Sequence, residues 1–288
     1  MNPRSLTRRL VQHEGLNFLL TNRIPRAAAT HAMGWFSRIE SPLLTRASIA
    51  LWRLFTELDL SDAQQQRFSS LHACFTRELR AGARPIDRDP RVLTSPCDGI
   101  VGACGQVAGL RAWQAKGFDY SLAQLFGSDA AAVPWRDGSY ATLRLTSGMY
   151  HRFHAPHDAH IEHVAYLGGD TWNVNPVALK RIARLYCLNE RAAIRLRLAG
   201  GQPVALVPVA AILVASLRLH APQLHLHLRY DGPQHIACDV PVAKGDELGW
   251  FEHGSTILVF APAGFALAPG IEPGHRLRMG EPLMRLPD

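Results

Sequence analysis

The sequence contains very little lysine. Only Lys116, Lys180 and Lys244 occur in 288 residues, although 31 Lys plus Arg outnumber 24 Asp plus Glu and give a formal charge of +7. Chemistry based on an enzyme lysine and a carbonyl compound therefore has very few candidates. The basic balance favours an anionic partner without specifying its class.

Cysteine is also scarce, and its spacing is uninformative. The five cysteines are widely separated and form no CxxC pair, which argues against a zinc knuckle or a disulfide framework. A reducing compartment is the simpler interpretation. These cysteines are Cys74, Cys97, Cys104, Cys187 and Cys238.

Long apolar runs are interrupted. The longest uncharged stretch, residues 198–217, could cross a bilayer by length, but it contains two glycines and two prolines. We predict buried strands there. No signal peptide is expected, because Arg8 and Arg9 are not followed by a clean apolar segment with a small-residue cleavage site.

Residues 1 to about 80 are predicted to be helical and amphipathic, over 16–39, 41–55 and 61–79. Ser61 and Asp62 are the expected N-caps of the last segment. Residues 1–50 carry seven arginines against two glutamates, so most of the excess charge lies there. This segment, with its exposed-looking aromatic and leucine side chains, either lies in a lipid headgroup layer or caps the core. Those apolar residues are Trp35, Phe36, Leu43, Leu44 and Trp52.

After Gly82, short β-rich runs are separated by Gly, Pro and Asp, which is typical of an antiparallel sandwich or barrel. Only residues 178–191 offer a further helix, and their end could equally begin a strand. The predicted fold class is therefore α+β, with an N-terminal amphipathic helical segment on a mostly antiparallel β core.

Histidines form the densest cluster of reactive side chains, recurring at every third residue at His151, His154, His157, His160 and His163. A metal site is one interpretation, but a period of three matches neither helix nor strand geometry, and Pro156 interrupts a helix. Packing histidines explain the last three adequately. They explain His151 and His154 less well, beside Tyr150 and Arg152.

Two turn sequences complete the candidate chemistry. Asp98-Gly99 marks a tight turn, and Gly254-Ser255 leads into an apolar strand. Each is weak alone. An aspartate, a histidine and a serine far apart in the sequence could meet as orienting group, base and nucleophile, but their order does not establish that they do.

Taken together, these motifs resemble those of phosphatidylserine decarboxylase proenzymes from about Leu16 to Pro282. The resemblance is carried, in order, by FTRELRAGARPID (75–87), SPCDG (95–99), YHRFHAP (150–156), NPVAL (175–179), NER (189–191) and GWFEHGST (249–256).

The resemblance implies self-cleavage between Gly254 and Ser255, giving a β chain of residues 1–254 and an α chain of residues 255–288, with Ser255 becoming a pyruvoyl group. It assigns Asp98, His154 and Ser255 to a protease-like triad, in which His154 takes the serine proton and Asp98 orients the imidazole. It further implies a membrane-associating segment over 1–80 and a catalytic domain over 81–288.

The implied activity is decarboxylation of phosphatidylserine to phosphatidylethanolamine through a Schiff base with the pyruvoyl group, with neither pyridoxal phosphate nor a metal. His151 or His154 would return a proton to the substrate α-carbon. Arg152, with Tyr150, would bind a lipid phosphate or carboxylate, although a structural ion pair is an equally common role for an arginine.

The same resemblance implies a peripheral protein on the cytoplasmic face of the cell membrane that binds an anionic membrane surface and no nucleic acid. The cleaved α and β chains would form a heterodimer, which could itself dimerise.

Three features depart from the family pattern. His253 replaces an apolar residue such as leucine before the Gly-Ser junction, Ala210 and Ala215 stand where glycine is common, and Cys97 precedes Asp98. Three rival functions remain open: a Ser-His-Asp hydrolase acting on an external ester or peptide, an uncut inactive membrane-binding homologue, and a metal hydrolase built on the five histidines.

Overall fold

A computed structural model describes residues 15, 18, 25–115, 117–213, 216–227, 230–252 and 256–287. Its N-terminal part contains three helices, α1 (Arg26–Ser37), α2 (Pro42–Phe55) and α3 (Leu71–Phe75). Helix α2 begins at Pro42 because the Ser41 side chain accepts a hydrogen bond from the Leu44 N–H, and proline suits the first helical position. The prediction of N-terminal helices is confirmed.

The prediction of a helix throughout 61–79 is wrong. Residues 61–70 form turns and bends, so Ser61 and Asp62 cap no helix. Ser70 is the actual N-cap, accepting from the Ala73 N–H. The glutamine run 64–66 provides no apolar face to bury, and Ala63 instead forms a bridge with Leu79 that folds the segment back.

Seventeen strands follow within the described ranges, and every strand pair is antiparallel. They are β1 (Val92–Thr94), β2 (Gly99–Gln106), β3 (Arg111–Ala115), β4 (Phe118–Ser121), β5 (Ser139–Arg144), β6 (Arg152–His154), β7 (Ala159–Leu167), β8 (Arg191–Leu198), β9 (Pro203–Val209), β10 (Ser216–Leu219), β11 (Leu224–His227), β12 (His235–Val242), β13 (Glu247–Phe251), β14 (Thr256–Ala261), β15 (Ala266–Leu267), β16 (Arg276–Leu277) and β17 (Pro282–Arg285). Short helices lie between some of them: α4 (Leu122–Phe126), α5 (Asp129–Ala132), a 3-10 turn (Val133–Trp135), α6 (Pro176–Leu179) and α7 (Leu185–Leu188).

The strands form one large sheet and three small ones. The large sheet has the order β12-β7-β8-β9-β14-β5-β2-β16, and the second has the order β11-β10-β13-β6. The remaining sheets are β1-β17-β15 and β3-β4. The predicted α+β class with an antiparallel core is thus confirmed, as an open sheet rather than a closed barrel.

Strand β14 lies in the middle of the large sheet and is buried on both faces. Ile257 and Val259 join one hydrophobic cluster, whereas Leu258 and Phe260 join the other on the opposite face. A strand covered on both sides needs a continuous apolar run, as this sequence has. The strand immediately after Ser255 is therefore firmly fixed.

The other local predictions have different outcomes. The expectation of a further helix only over 178–191 is wrong, because α4, α5 and the 3-10 turn lie outside that segment. Strand β9, inside the uncharged stretch 198–217, is almost wholly buried. Both alternatives for 178–191 hold in part, since α6 and α7 fall in and around this segment and β8 begins at Arg191. Within the described ranges, no helix has both the length and the apolar character needed to span a membrane.

Candidate active site

The first two histidines of the histidine-rich segment flank strand β6: His151 immediately precedes the strand and His154 is its last residue. This strand pairs with β13, so that Trp250 lies opposite Arg152 and Glu247 opposite His154. Phe153 points into the core between them and is completely buried. The alternation of a strand thus fixes Arg152 and His154 on the other face.

The His154 imidazole is buried and held at both nitrogens. Its Nδ1 lies 2.9 Å from the Gly245 carbonyl oxygen, so Nδ1 carries the proton and donates it. Its Nε2 lies 3.0 Å from the Tyr150 hydroxyl and accepts from it. Burial lowers the pKa of His154, so the ring is neutral near pH 7 and Nε2 is its basic atom.

The backbone conformation and the close packing at position 245 favour glycine. Its φ is +92°, in the left-handed region, and a Cβ atom there would overlap the Ile86 side chain. Glycine is the residue that tolerates both conditions. The carbonyl that orients His154 is therefore presented by a backbone conformation that few other residues could adopt.

Asp98 lies near His154, but its hydrogen bonds go elsewhere. Arg84 donates through Nε to Oδ1 at 2.8 Å and through Nη2 to Oδ2 at 2.6 Å, and the Met279 N–H also donates to Oδ1. The His154 N–H donates to the Pro96 carbonyl oxygen at 2.7 Å, which ties the two segments together. The structure therefore brings Asp98 into the neighbourhood of His154, with Gly245 rather than Asp98 bonded to Nδ1.

His151 is completely buried behind α3. Its Nδ1 lies 2.8 Å from the Met149 carbonyl oxygen, and its ring packs on Phe75 with 3.9 Å between centroids. The Phe251 N–H donates to the His151 carbonyl oxygen at 3.0 Å. His151 is thus fixed against the end of β13.

The Arg152 guanidinium forms hydrogen bonds and ion pairs with other groups of the protein. Its Nη1 donates to Glu247 at 2.7 Å, its Nη2 lies 3.3 Å from Glu78, and its Nε and Nη2 donate to the Thr76 carbonyl oxygen. This network favours the structural ion-pair interpretation of Arg152. Its role in substrate binding stays a prediction, as does that of Tyr150, whose hydroxyl bonds to His154.

The other three histidines have separate partners. His157 bonds to the Pro90 carbonyl oxygen, His160 pairs with Asp239, and His163 stacks on His235. In the part of the chain that the structure describes, no three His, Cys, Asp or Glu side chains are grouped to hold a metal ion.

The Gly-Ser junction itself, His253, Gly254 and Ser255, lies outside the described residues, as does Ala215. Its two flanks are described. Before the junction, Phe251 ends strand β13 and Glu252 follows it. After the junction, Thr256 begins β14, where it is completely buried and pairs with Arg144 and Val209.

Glu252, three residues before Ser255, is bound by residues from several elements. Ser216 donates to its Oε2 at 2.5 Å, Arg38 donates to Oε2 at 2.9 Å, and Arg218 donates to Oε1 at 3.0 Å. His225 lies 3.2 Å from Oε2. Burial opposes ionisation, but these hydrogen bonds and the two arginines outweigh it and lower the pKa of Glu252 to about 2.

A cavity of about 630 Å³ lies between the N-terminal helices and the sheet. The helices contribute apolar lining residues: Met33, Phe36, Leu51, Trp52, Phe55, Leu71 and Phe75. The polar and charged lining residues from the rest of the chain are Arg144, Thr146, Ser147, Asn173 and Asn175. Because Arg144 is the strand partner of Thr256, the cavity adjoins the beginning of β14.

The chain matches known proteins over most of its length. Residues 71–285 match the family model described as phosphatidylserine decarboxylase. Proteins named phosphatidylserine decarboxylase proenzyme are similar to it: one from Anaeromyxobacter sp. (strain K) is 37% identical over 90% of this chain and 94% of that protein. One from Halorhodospira halophila is 41% identical over 80% of each chain, and one from Sodalis glossinidius is 33% identical over 93% and 95%.

These matches place the chain in a class of enzymes. The chain belongs to the phosphatidylserine decarboxylase family, a family of enzymes made as proenzymes. The resemblance found in the motifs is thereby confirmed.

Sequence reasoning missed two partners of the predicted residues. Arg84 lies within the quoted FTRELRAGARPID motif, so a signal existed, but nothing in the sequence linked it to Asp98. Gly245 contributes a backbone carbonyl, which every residue type carries. Only the fold could reveal that contact.

Proposed function

We propose that the chain is a proenzyme that cuts itself between Gly254 and Ser255 and then decarboxylates phosphatidylserine to phosphatidylethanolamine. Membership of the family is the main support. The single structural observation that supports the proposal is the buried His154, whose ring is neutral near pH 7 and whose basic atom is Nε2.

In the proposed cleavage, His154 takes the Ser255 hydroxyl proton and the serine oxygen attacks the Gly254 carbonyl carbon. The Gly254–Ser255 C–N bond breaks, the proton passes to the freed amine, and an ester remains. Because nucleophile and carbonyl are adjacent in one chain, most of the entropic cost of bringing them together is absent.

The ester is then removed by elimination. A base takes the Ser255 Cα proton, the Gly254 carboxylate leaves from Cβ, and the resulting enamine shifts a proton to become an imine. Water adds and ammonia leaves, so that residue 255 ends as a pyruvoyl group and residue 254 as a carboxyl terminus. One water is consumed and one ammonia released.

The residues present fit such a group at position 255. Thr256 is immobilised in the central strand, a cavity adjoins that strand, and neither described lysine, Lys180 nor Lys244, lines it. When formed, the pyruvoyl group supplies the electron sink that decarboxylation requires. His151 or His154 then delivers the proton to the substrate α-carbon.

We infer that the substrate enters from a membrane surface. Leu51 and Phe55 line the cavity and are nevertheless 57% and 61% exposed, while Trp35 and Leu43 on the same helices are 72% and 79% exposed. Large exposed apolar side chains at the mouth of an apolar cavity suit acyl chains that remain partly in lipid. The arginines of the N-terminal segment would attract an anionic surface.

The deciding measurement is the intact mass of the purified, denatured wild-type chain. We expect fragments 1–254 and 255–288, the smaller being about 17 mass units lighter than a peptide that begins with serine, as the pyruvoyl group requires. Ser255→Ala should give a folded, uncut and inactive chain. A cut or active Ser255→Ala protein would overturn the mechanism.

A single uncut wild-type chain would contradict the proposal and leave the hydrolase or the inactive homologue, with His253 the first residue to replace by leucine. A hydrolase would react with serine-directed acylating reagents while remaining uncut. The product assay is release of carbon dioxide from phosphatidylserine in mixed micelles.

A further inference from the structure

Arg144 is an arginine for which the fold provides no partner. It ends strand β5 and is half-buried, and within the described ranges its guanidinium makes no hydrogen bond or ion pair. Burial lowers the pKa of Arg144, and the phenol of Tyr186, rather than a carboxylate, opposes that shift. A cation removed from water without a counter-charge is costly unless a ligand supplies one.

Other arginines in the described ranges that are not exposed are all engaged. Their partners are Asp170 for Arg26, the Cys74 carbonyl for Arg77, Asp98 for Arg84, Glu247 for Arg152, the Leu125 carbonyl for Arg191 and Glu252 for Arg218. The fold therefore satisfies buried guanidinium groups as a rule. Arg144 is the exception, and it lies in the cavity wall.

Its position adds a second observation. The Arg144 backbone pairs with Thr256, one residue after Ser255, and Arg144 lines the cavity together with Asn173 and Asn175. Most of the other lining residues are apolar. A largely apolar cavity with one cation in its wall matches an anionic amphiphile.

We propose that Arg144 binds the phosphate of the lipid headgroup in this cavity. This inference rests on the proposed function and names a specificity-determining residue within it. Arginine presents several N–H donors in a planar fork that matches phosphate oxygens.

The phosphate is a better ligand than the substrate carboxylate for a catalytic reason. Decarboxylation discharges the carboxylate, so an arginine bound to it would stabilise the ground state more than the transition state and slow the reaction. The phosphate keeps its charge throughout. Holding it positions substrate and transition state equally, which affects KM rather than kcat.

The test compares Arg144→Gln and Arg144→Lys with wild type, after intact mass has established that each is cut. We expect Arg144→Gln to raise KM for phosphatidylserine about 10- to 100-fold, the range for a lost hydrogen bond to a charged group, with kcat nearly unchanged. The KM of Arg144→Lys should lie between the values of wild type and Arg144→Gln. The matched control is Arg197→Gln, which removes an arginine charge from an exposed pair with Glu162, away from the cavity.

Inhibition by the product separates the two possible anions. Phosphatidylethanolamine retains the phosphate and lacks the carboxylate, so its inhibition constant should rise in Arg144→Gln by the same factor as KM. If KM rises and the inhibition constant does not, Arg144 binds the carboxylate and the proposal is overturned. Unchanged values of both also overturn it.

A binding measurement covers the case in which Arg144→Gln is not cut. Short-chain phosphatidylethanolamine below its micelle-forming concentration is titrated into uncut Ser255→Ala and into Ser255→Ala/Arg144→Gln. Equal affinities overturn the inference, and weaker binding by the second protein supports it. An uncut, inactive wild type would overturn the proposed function as well, whereas a cut, active wild type with unchanged Arg144 variants removes only this inference.

Discussion

Individual side chains of the site are held by neighbours that the motifs did not identify. Asp98 is the best example, because its carboxylate is bonded by two nitrogens of Arg84, and Arg84 also bonds to Asp62. Both Arg84 and Asp98 are largely buried. The position of Asp98 is therefore set by a planar pair of hydrogen bonds rather than by the imidazole.

We predict that Arg84→Lys slows self-cleavage about tenfold or more, because lysine cannot make the bidentate contact and Asp98 would be free to turn. The time course of fragment formation measures this. Asp98→Asn should also block cleavage, and the double variant should be no slower than the slower single variant if Arg84 acts through Asp98. Additive losses, or wild-type cleavage in Arg84→Lys, would show that the pair is not part of maturation.

Glu190 is a buried carboxyl that the proposed reaction does not use. Tyr166 donates to its Oε1 at 2.8 Å, while Oε2 is buried without a partner in the described residues. Burial raises the pKa of Glu190 to about 7, against the opposing effect of the Tyr166 hydrogen bond. The folded protein therefore holds a proton there that an unfolded chain would release at lower pH.

This raised pKa predicts a loss of stability as the pH rises. An unfolded glutamate ionises from about pH 4.5, whereas the folded one resists ionisation until about pH 7, so the stability contribution declines across that window and is gone above it. We expect the free energy of unfolding of Ser255→Ala/Glu190→Gln to gain about 2 to 3 kcal/mol relative to Ser255→Ala between about pH 5 and about pH 8. Denaturant unfolding at both pH values measures the difference.

Glu281→Gln, a substitution of a less buried carboxylate, is the control for the Glu190 experiment and should show no comparable change between the two pH values. If the Glu190 variant behaves like that control, the carboxyl at 190 is ionised in the folded protein at both pH values.

At the scale of elements, β13 and β14 flank the junction, and each is fixed by different means. Strand β14 is fixed by apolar burial on both faces. Strand β13 is fixed at its end by Glu252, whose partners come from the segment after α1, from β10 and from β11. The N-terminal helices are therefore linked to the junction through Arg38.

We predict that Glu252→Gln slows self-cleavage about tenfold, because Arg38 and Arg218 lose their shared counter-charge and the end of β13 is released. Fragment formation in detergent, without membranes, isolates this effect from lipid binding. Glu162→Gln is the matched control. Glu162 lies on strand β7 and also binds two arginines, Arg195 and Arg197. Equal rates for the two variants would show that Glu252 has no special role at the junction.

At the scale of the whole molecule, exposed apolar side chains are concentrated on α1 and α2 at the mouth of the cavity. This arrangement supports peripheral membrane binding by a chain whose described helices do not span a bilayer. Residues of α1 and α2 also line the cavity, as a helical cap would, and the placing of this segment in a lipid headgroup layer stays a prediction.

We predict that Leu51→Ser/Phe55→Ser lowers partitioning onto phosphatidylserine-containing vesicles about 10- to 100-fold, from the apolar area no longer buried in lipid. Vesicle co-sedimentation of the Ser255→Ala chain measures it. Leu188→Ser removes another exposed leucine, on α7, and should leave binding unchanged. A similar loss for both proteins would mean that the contact with lipid is not confined to the cavity mouth.

The fold class, the helical character of the N-terminal region and the family could all be predicted from the amino-acid sequence. These follow from local information: hydrophobic period, turn residues and motifs in a fixed order. It failed over 61–70, where capping residues were present without an apolar face. It also named Asp98, His151 and His154 as catalytic residues, and those roles stay predictions.

The partners of those side chains depend on the folded arrangement of distant segments. The bond from His154 to a backbone carbonyl, the pairing of Asp98 with Arg84, the convergence on Glu252 and the lack of a partner for Arg144 all join residues far apart in the chain. No local pattern encodes such contacts, because a strand's alternation gives the face on which a side chain lies but not what the fold places against it.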